Sequence, residues 1–293
     1  MLDELDVRRA AMAYLAACCD TGGGVVSRRE LEAFVYEGER LPLIDAGRGI
    51  RNPRQLASSL TLLTTPGSPY DDKTAPDGLR RYAYRAGRID QGDNPKLRRA
   101  AETGYPMILL TKVADGVFVP TFPVYAVADH PRERHVEIAV DESLQALAEM
   151  TPTQNTRSYA ERLTKMRLHQ PVFRARVLLA YDRSCTICRL QHVDLLDAAH
   201  ILSDSDGGEP IVKNGLAMCK IHHAAYDRGI LGIRSDYTVQ IRADVLREVD
   251  GPMLRHGLQD THGWRLEIPS RIADRPDRDA LAARYVAFAT QPG

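Results

Sequence analysis

The feature that most constrains this chain is a pair of short chelates near its C-terminal third: Cys185-Thr-Ile-Cys188, then thirty residues, then Cys219-Lys-Ile-His222. Two close pairs of sulfur and imidazole donors joined by a loop-sized insert suit a closed tetrahedral zinc site, because each pair can bind from a single turn. With Cys185, Cys188, Cys219 and His222 filling all four positions, such an ion has no place left for water. It therefore holds the fold together rather than performing chemistry. The remaining cysteines, Cys18 and Cys19, bring the count to an odd five. That pattern fits thiols and metal ligands better than disulfides, and a reducing, cytoplasmic setting.

The length of 293 residues predicts two domains or one large one, with ample chain for a buried core. Lys and Arg (39) balance Asp and Glu (39), so a polyanion site must arise from local sorting of charge. Such sorting occurs between Arg157 and Arg189, where eight basic residues face two acids, and this stretch reads as a phosphate-facing surface or a solvated helix face. The apolar run Ala10 to Cys19 is about half a membrane span, and no membrane association is expected.

Hydrophobic spacing over residues 3–19 predicts a helix stopped at Gly22-Gly23-Gly24. Ser27 with Glu30 forms a capping-box signature for a second helix over 28–36, and 53–60 reads as a third short one. From Leu60 to Val140 the chain turns to β-branched and aromatic runs broken by Pro, Gly and Asp. One helix interrupts them, 94–103, with Asn94 as N-cap, Pro95 at the first helical position and Gly104 at its end. Residues 155–181 read as helical segments broken at Pro171. Beyond the cysteines come a short strand near 237–242 and a final helix over 278–288.

The insert between the two chelates carries more than a zinc knuckle needs: Asp197-Ala-Ala-His200-Ile-Leu, the pair Gly207-Gly208, Asn214-Gly-Leu-Ala-Met-Cys219, and His223 directly after His222. It reads as strand, loop, strand, helix. On these residues, 181–232 resembles the HNH endonuclease family, whose ββα-metal motif surrounds such a zinc clamp in its McrA-like members. The resemblance implies His200 as the general base toward water, since an imidazole titrates near neutral pH. It implies Asn214 as the residue that pins the loop and orients His200, and His223 as a ligand of a catalytic Mg2+ or Mn2+ ion. Many members place a second metal ligand directly before the base. Here that position is Ala199, which leaves Asp197 and Asp227 as alternatives.

The strand-rich segment carries Gly67-Ser-Pro-Tyr70-Asp71-Asp72, Asp77-Gly-Leu-Arg-Arg-Tyr82-Ala-Tyr84-Arg85, Asp93-Asn94-Pro-Lys-Leu-Arg-Arg-Ala and Tyr105-Pro-Met-Ile. Over about 47–140 it resembles the SRA (YDG) family, which reads modified cytosine flipped out of duplex DNA. A flipped base needs flat side chains to replace its lost stacking and an acceptor for its amino group. Tyr70 with Tyr82 or Tyr84 suits the first task, and Asp71 or Asp72 the second; tyrosines filling a barrel core and aspartates making turns is the other reading.

Together these readings predict an α+β chain. Residues 1–46 form a helical segment packing on the reader, 47–150 an SRA-like β-barrel, 151–180 a basic helical linker, and 181–293 a ββα-metal (HNH) domain with structural zinc. The implied activity is a modification-dependent DNA endonuclease acting on double-stranded DNA that carries 5-methylcytosine or a related base. One HNH site cuts one strand, so a double-strand break implies a homodimer or two independent visits. The alternatives are an HNH nuclease without modification dependence and a non-catalytic, zinc-containing DNA-binding regulator, which Ala199 keeps open.

Overall fold

In a computed structural model, residues 3–65, 79–143, 163–203 and 206–290 are described. The chain divides into two compact units, residues 1–172 and 173–293. The fold is mixed α+β. Among the described residues no helix is long and apolar enough to cross a membrane.

The first unit opens with α1 (Glu4–Gly22), whose N-cap Asp3 accepts a hydrogen bond from Leu5 N and whose end turns on Gly23 in the left-handed region. The capping box forms as expected: Ser27 accepts from Glu30 N, and Glu30 accepts from Ser27 N, opening α2 (Arg28–Ala33). Helix α3 (Asn94–Thr103) ends at Gly104 as read, but its N-cap is Asp93. Asn94 is occupied instead with the preceding loop, accepting from Arg85 N and donating to the carbonyls of Arg85 and Arg88.

Around these helices run β1 (Val26–Ser27), β2 (Val35–Tyr36), β3 (Glu39–Arg40), β4 (Ile50–Arg51), β5 (Thr61–Thr64), β6 (Arg80–Ala83), β7 (Met107–Ala114), β8 (Val117–His130) and β9 (His135–Ala139). Seven of them form one sheet in the order β4-β5-β7-β8-β9-β6, with β1 added to β8, while β2 and β3 pair separately. β5 and β7 are parallel and the other pairs antiparallel. The run Met107-Ile-Leu-Leu explains why β7 sits centrally, since alternate side chains must be buried on both faces. Met107 and Leu109 enter a cluster with Leu97, Tyr82 and Tyr84, while Ile108 and Leu110 enter a second with Val7, Leu15 and Leu31.

Residues 53–60, expected to be helical, are not. Their backbone is claimed from outside: the Glu4 carboxylate accepts from Ala57 N at 3.0 Å, and the wholly buried Arg8 donates to the carbonyls of Ser58, Ser59 and Pro106 and to Ser58 Oγ. Groups bonded in this way are withdrawn from an i to i−4 ladder.

The second unit begins within α4 (Gln170–Ala180), which follows without a break from a π-helical segment, Lys165–His169, so the helical run is not broken at Pro171 as the sequence suggested: the proline sits just past the wider π turn. It continues with β10 (Leu196–His200), β11 (Gly215–Cys219), α5 (Lys220–Asp227), β12 (Leu231–Ile233), β13 (Val239–Ile241), α6 (Pro252–Gly257) and α7 (Arg278–Ala289). β10 pairs antiparallel with β11, and β12 with β13. One apolar cluster, including Phe173, Val177, Leu216, Met218, Ile233 and Leu281, underlies all of these elements. Gly215 lets α4 lie directly on the hairpin: a Cβ there would stand 3.0 Å from Phe173 Cζ and closer still to Val177.

Candidate functional site

Cys185, Cys188, Cys219 and His222 converge, with one donor atom from each lying within 4.8 Å of the others. The first pair sits on a tight knuckle tied to the hairpin by Thr186 N donating to Ala217 O. Cys219 ends β11 and is the N-cap of α5, which places His222 in that helix's first turn, inside the molecule and 2% exposed. Two thiolates 2.3 Å from a tetrahedral ion stand about 3.8 Å apart, and a thiolate and an imidazole nitrogen about 3.6 Å. The observed Cys188–Cys219 separation is 3.9 Å, and His222 Nδ1 lies 3.5 Å from Cys185 Sγ and 3.1 Å from Cys219 Sγ.

His222 Nε2 lies 2.8 Å from Gly257 O and donates to it, which leaves the Nδ1 lone pair facing the sulfurs. Proton sharing among the thiols points the same way. Hydrogen bonds from Cys188 and Cys219 draw the Cys185 thiol far below its ordinary value, while those with Cys185 and Cys188 push Cys219 far above it. A divalent cation resolves that conflict, and the donor set fits zinc.

On the hairpin above this cluster, His200 closes β10 opposite Gly215. Its ring stacks on Phe173 with centroids 4.1 Å apart and planes 19° apart, and its Nε2 is shielded from solvent. Asn214, 7% exposed, fastens the loop that follows His200. Its Oδ1 accepts from Leu202 N at 2.9 Å, and its Nδ2 donates to Leu202 O at 2.9 Å and to Glu209 O at 3.0 Å. Gly208 makes room for this clamp, since a Cβ there would stand 2.7 Å from Asn214 Nδ2 and overlap Leu202 O. His223, next to His222 on α5, points away from the zinc ligands and is partly exposed.

Both carboxylates left open by the sequence face His223. Asp197 Oδ2 lies 3.6 Å from Nδ1 and Asp227 Oδ2 3.2 Å from Nε2. An ion bound at one ring nitrogen can share only the carboxylate on that side, and the other carboxylate then orients the ring. Ala199 is fully buried in the apolar cluster and offers no donor.

Three arginines of the basic stretch make contacts within the chain. Arg174 donates to Val193 O at 3.0 Å and Leu196 O at 2.9 Å and approaches Asp197 at 3.9 Å. Arg167 pairs with Asp141, and Arg189 with Glu267. Phe173 and Arg174, which position His200 and the start of β10, carried no sequence signal beyond their place on an amphipathic helix. Arg157 and Arg162 lie outside the described residues, as do Tyr70, Asp71 and Asp72 of the expected base pocket.

Tyr82 and Tyr84 lie on one side of the strand, as their alternation requires, and that side is the core: they are 5% and 2% exposed. The Tyr82 hydroxyl donates to Gly49 O and Leu63 O, both at 3.0 Å, and that of Tyr84 to Asp129. Burial, and then the bond to Asp129, raise the Tyr84 phenol well above its ordinary value. In this conformation the two rings pack the core rather than face solvent.

Residues 185–234 match the family model of the HNH endonucleases, and the second unit thus carries an HNH endonuclease domain. No curated protein matches the chain. Among solved structures, the modification-dependent TagI restriction endonuclease aligns with 17% identity and a TM-score of 0.32, covering 83% of this chain and 86% of that one. The type IV phosphorothioation-dependent restriction endonuclease ScoMcrA aligns with 14% identity and a TM-score of 0.22, over 60% of this chain and 54% of that one.

Proposed function

We propose that this protein is a metal-dependent DNA endonuclease whose N-terminal unit directs it to DNA carrying modified cytosine. The observation that carries the nuclease reading is the Asn214 clamp. Its three hydrogen bonds fix the loop that follows His200, inside the segment matched by the HNH family.

In this reading His200 takes the proton of the water that attacks phosphorus. Stacking on Phe173 restricts rotation of its ring. The water oxygen bonds to phosphorus as the bond to the leaving deoxyribose oxygen breaks. His223, flanked by Asp197 and Asp227, suits a Mg2+ or Mn2+ ion together with one of these carboxylates. Such an ion, when bound, neutralises charge growing on the phosphate and the leaving oxygen. Zinc at Cys185, Cys188, Cys219 and His222 fixes the base of α5 and therefore the direction in which His223 points.

The reader half rests on the SRA-like segments within 47–140, which fall in a unit with its own cores. It includes a base-flipping pocket drawn from Tyr70, Asp71, Asp72 and one of Tyr82 and Tyr84. Because the two later tyrosines are packed, the decisive comparison varies the DNA rather than the protein. Matched plasmids with unmodified and fully 5-methylated cytosine are incubated with the protein and Mn2+ or Mg2+. Cutting of the methylated plasmid alone is expected. Equal cutting removes the modification dependence and keeps the nuclease. Absence of cutting with DNA binding retained establishes the zinc-containing regulator, which buried Ala199 favours. A double-strand break further needs two copies of the site, as in a homodimer, or two independent visits by one, and sedimentation with DNA separates them.

A further inference from the structure

At the tip of the β8–β9 hairpin, in the first unit and apart from the HNH residues, two histidines meet a glutamate. His130 and His135 are direct cross-strand partners, and Glu137 lies two residues beyond His135. The strand period of two puts all three side chains on one face. Their rings stack with centroids 4.7 Å apart and planes 22° apart, and one donor atom from each of His130, His135 and Glu137 lies within 4.8 Å of the others.

Stacking alone does not account for the nitrogens. His135 is only 8% exposed, and neither its Nε2 nor that of His130 has a hydrogen-bond partner among the described residues, although both atoms are shielded from solvent. Buried imidazole nitrogens ordinarily find a partner. His130 Nε2 is 3.3 Å from Glu137 Oε2, and Glu133 Oε2 stands 3.8 Å from His135 Nδ1 on the far side of that ring. A carboxylate behind the second nitrogen is the usual support of a metal-bound imidazole, because it fixes which nitrogen keeps its proton. Arg81 stands 3.9 Å from the other carboxylate oxygen, Glu137 Oε1.

We infer that His130 Nε2, His135 Nε2 and Glu137 form a second metal site, for a divalent ion of zinc's borderline class, with a fourth position open to water or a ligand. Two imidazoles and one carboxylate select such ions over magnesium or calcium. Nitrogens of a closed tetrahedral site stand about 3.3 Å apart, so binding draws the two rings together by small side-chain rotations. The bound ion crosslinks the ends of β8 and β9.

The test uses the full-length protein with its cysteine site already loaded, titrated with Zn2+ alone. Calorimetry is expected to show one further binding event, retained in His223→Ala and weakened at least tenfold in His130→Ala and Glu137→Gln. Long-range proton–nitrogen spectra of the wild-type protein need no variant, and Zn2+ is expected to shift Nε2 of both His130 and His135. Equal zinc uptake by wild type and His130→Ala, or shifts confined to other histidines, overturns the site. His223→Ala separates this outcome from any failure of the nuclease reading, because it removes the proposed catalytic ion and leaves the hairpin intact.

Discussion

Each unit is organised around a buried polar hub, and the two hubs are completed in opposite ways. In the first unit Arg8 reaches Ser58, Ser59, Pro106 and Glu4 through its two terminal nitrogens, and only its Nε has no hydrogen-bond partner among the described residues. In the second unit three thiols and an imidazole meet at one point, a set of donors with too few acceptors to satisfy itself. A guanidinium fork matches backbone carbonyls by geometry, whereas sulfur donors are reconciled by a cation. The first hub thus draws its partners from the chain itself, and the second offers a donor set suited to a cation such as zinc.

Removing zinc is the severest way to break this contrast. Structural zinc contributes an apparent 10–16 kcal/mol at neutral pH in small zinc modules, on the order of a whole domain's stability. Chelation, or Cys188→Ala, is expected to abolish the melting transition of residues 173–293 and leave that of residues 1–172 in place. A second unit that melts unchanged after zinc is stripped, followed by calorimetry with metal analysis, refutes the ligand assignment.

His200→Ala sharpens the contrast from the other side, since it touches chemistry and neither hub. Loss of a general base lowers cutting by about 10²–10⁴-fold, with zinc content and both transitions as in the wild type. Single-turnover cleavage of labelled DNA measures it, and an undiminished rate removes His200 from the mechanism.

Arg8→Met is the counterpart of zinc removal. It takes the charged partner from the Glu4 carboxylate, which keeps only the donors of Ala57 and Ser58, and takes the guanidinium donor from three carbonyls, a loss of about 3–5 kcal/mol for a broken buried pair. Urea denaturation is expected to show that loss in the first unit alone.

Acid gives the smallest effect. Burial raises the Glu4 carboxyl, but hydrogen bonds from Arg8 and from Ala57 and Ser58 outweigh it and hold the group below its ordinary 4.5. A depressed carboxyl contributes stability that is fully present above its unfolded value and lost as pH falls through the folded one. The first unit should thus begin to lose stability below about pH 4.5, and Glu4→Gln should flatten that slope in melts taken against pH.

The sites legible in the sequence are those whose geometry is set by short spacing. Two chelates of four residues each define the cysteine cluster wherever the rest of the chain goes, and the strand-loop-strand-helix reading around His200, Asn214 and His223 follows from local pattern. What could not be read depends on distant parts of the chain. The segment 53–60 has helical spacing but yields its backbone to Arg8 and Glu4. Tyr82 and Tyr84 alternate toward one face, and only the full sheet shows that the face is the interior. The pairing of His130 with His135 needs the register of a hairpin, and the support of His200 by Phe173 needs α4 to lie over Gly215.

The reach of Arg8 also sets a clock on biosynthesis. Its most distant acceptor, Pro106, is encoded 98 residues later. At roughly 5–20 residues per second, the ribosome takes about 5–20 s to supply it, and the exit tunnel lengthens the delay. Until then the first helix emerges with its guanidinium short of partners and its apolar side uncovered. The first helix is thus made well before the carbonyl that completes its contacts.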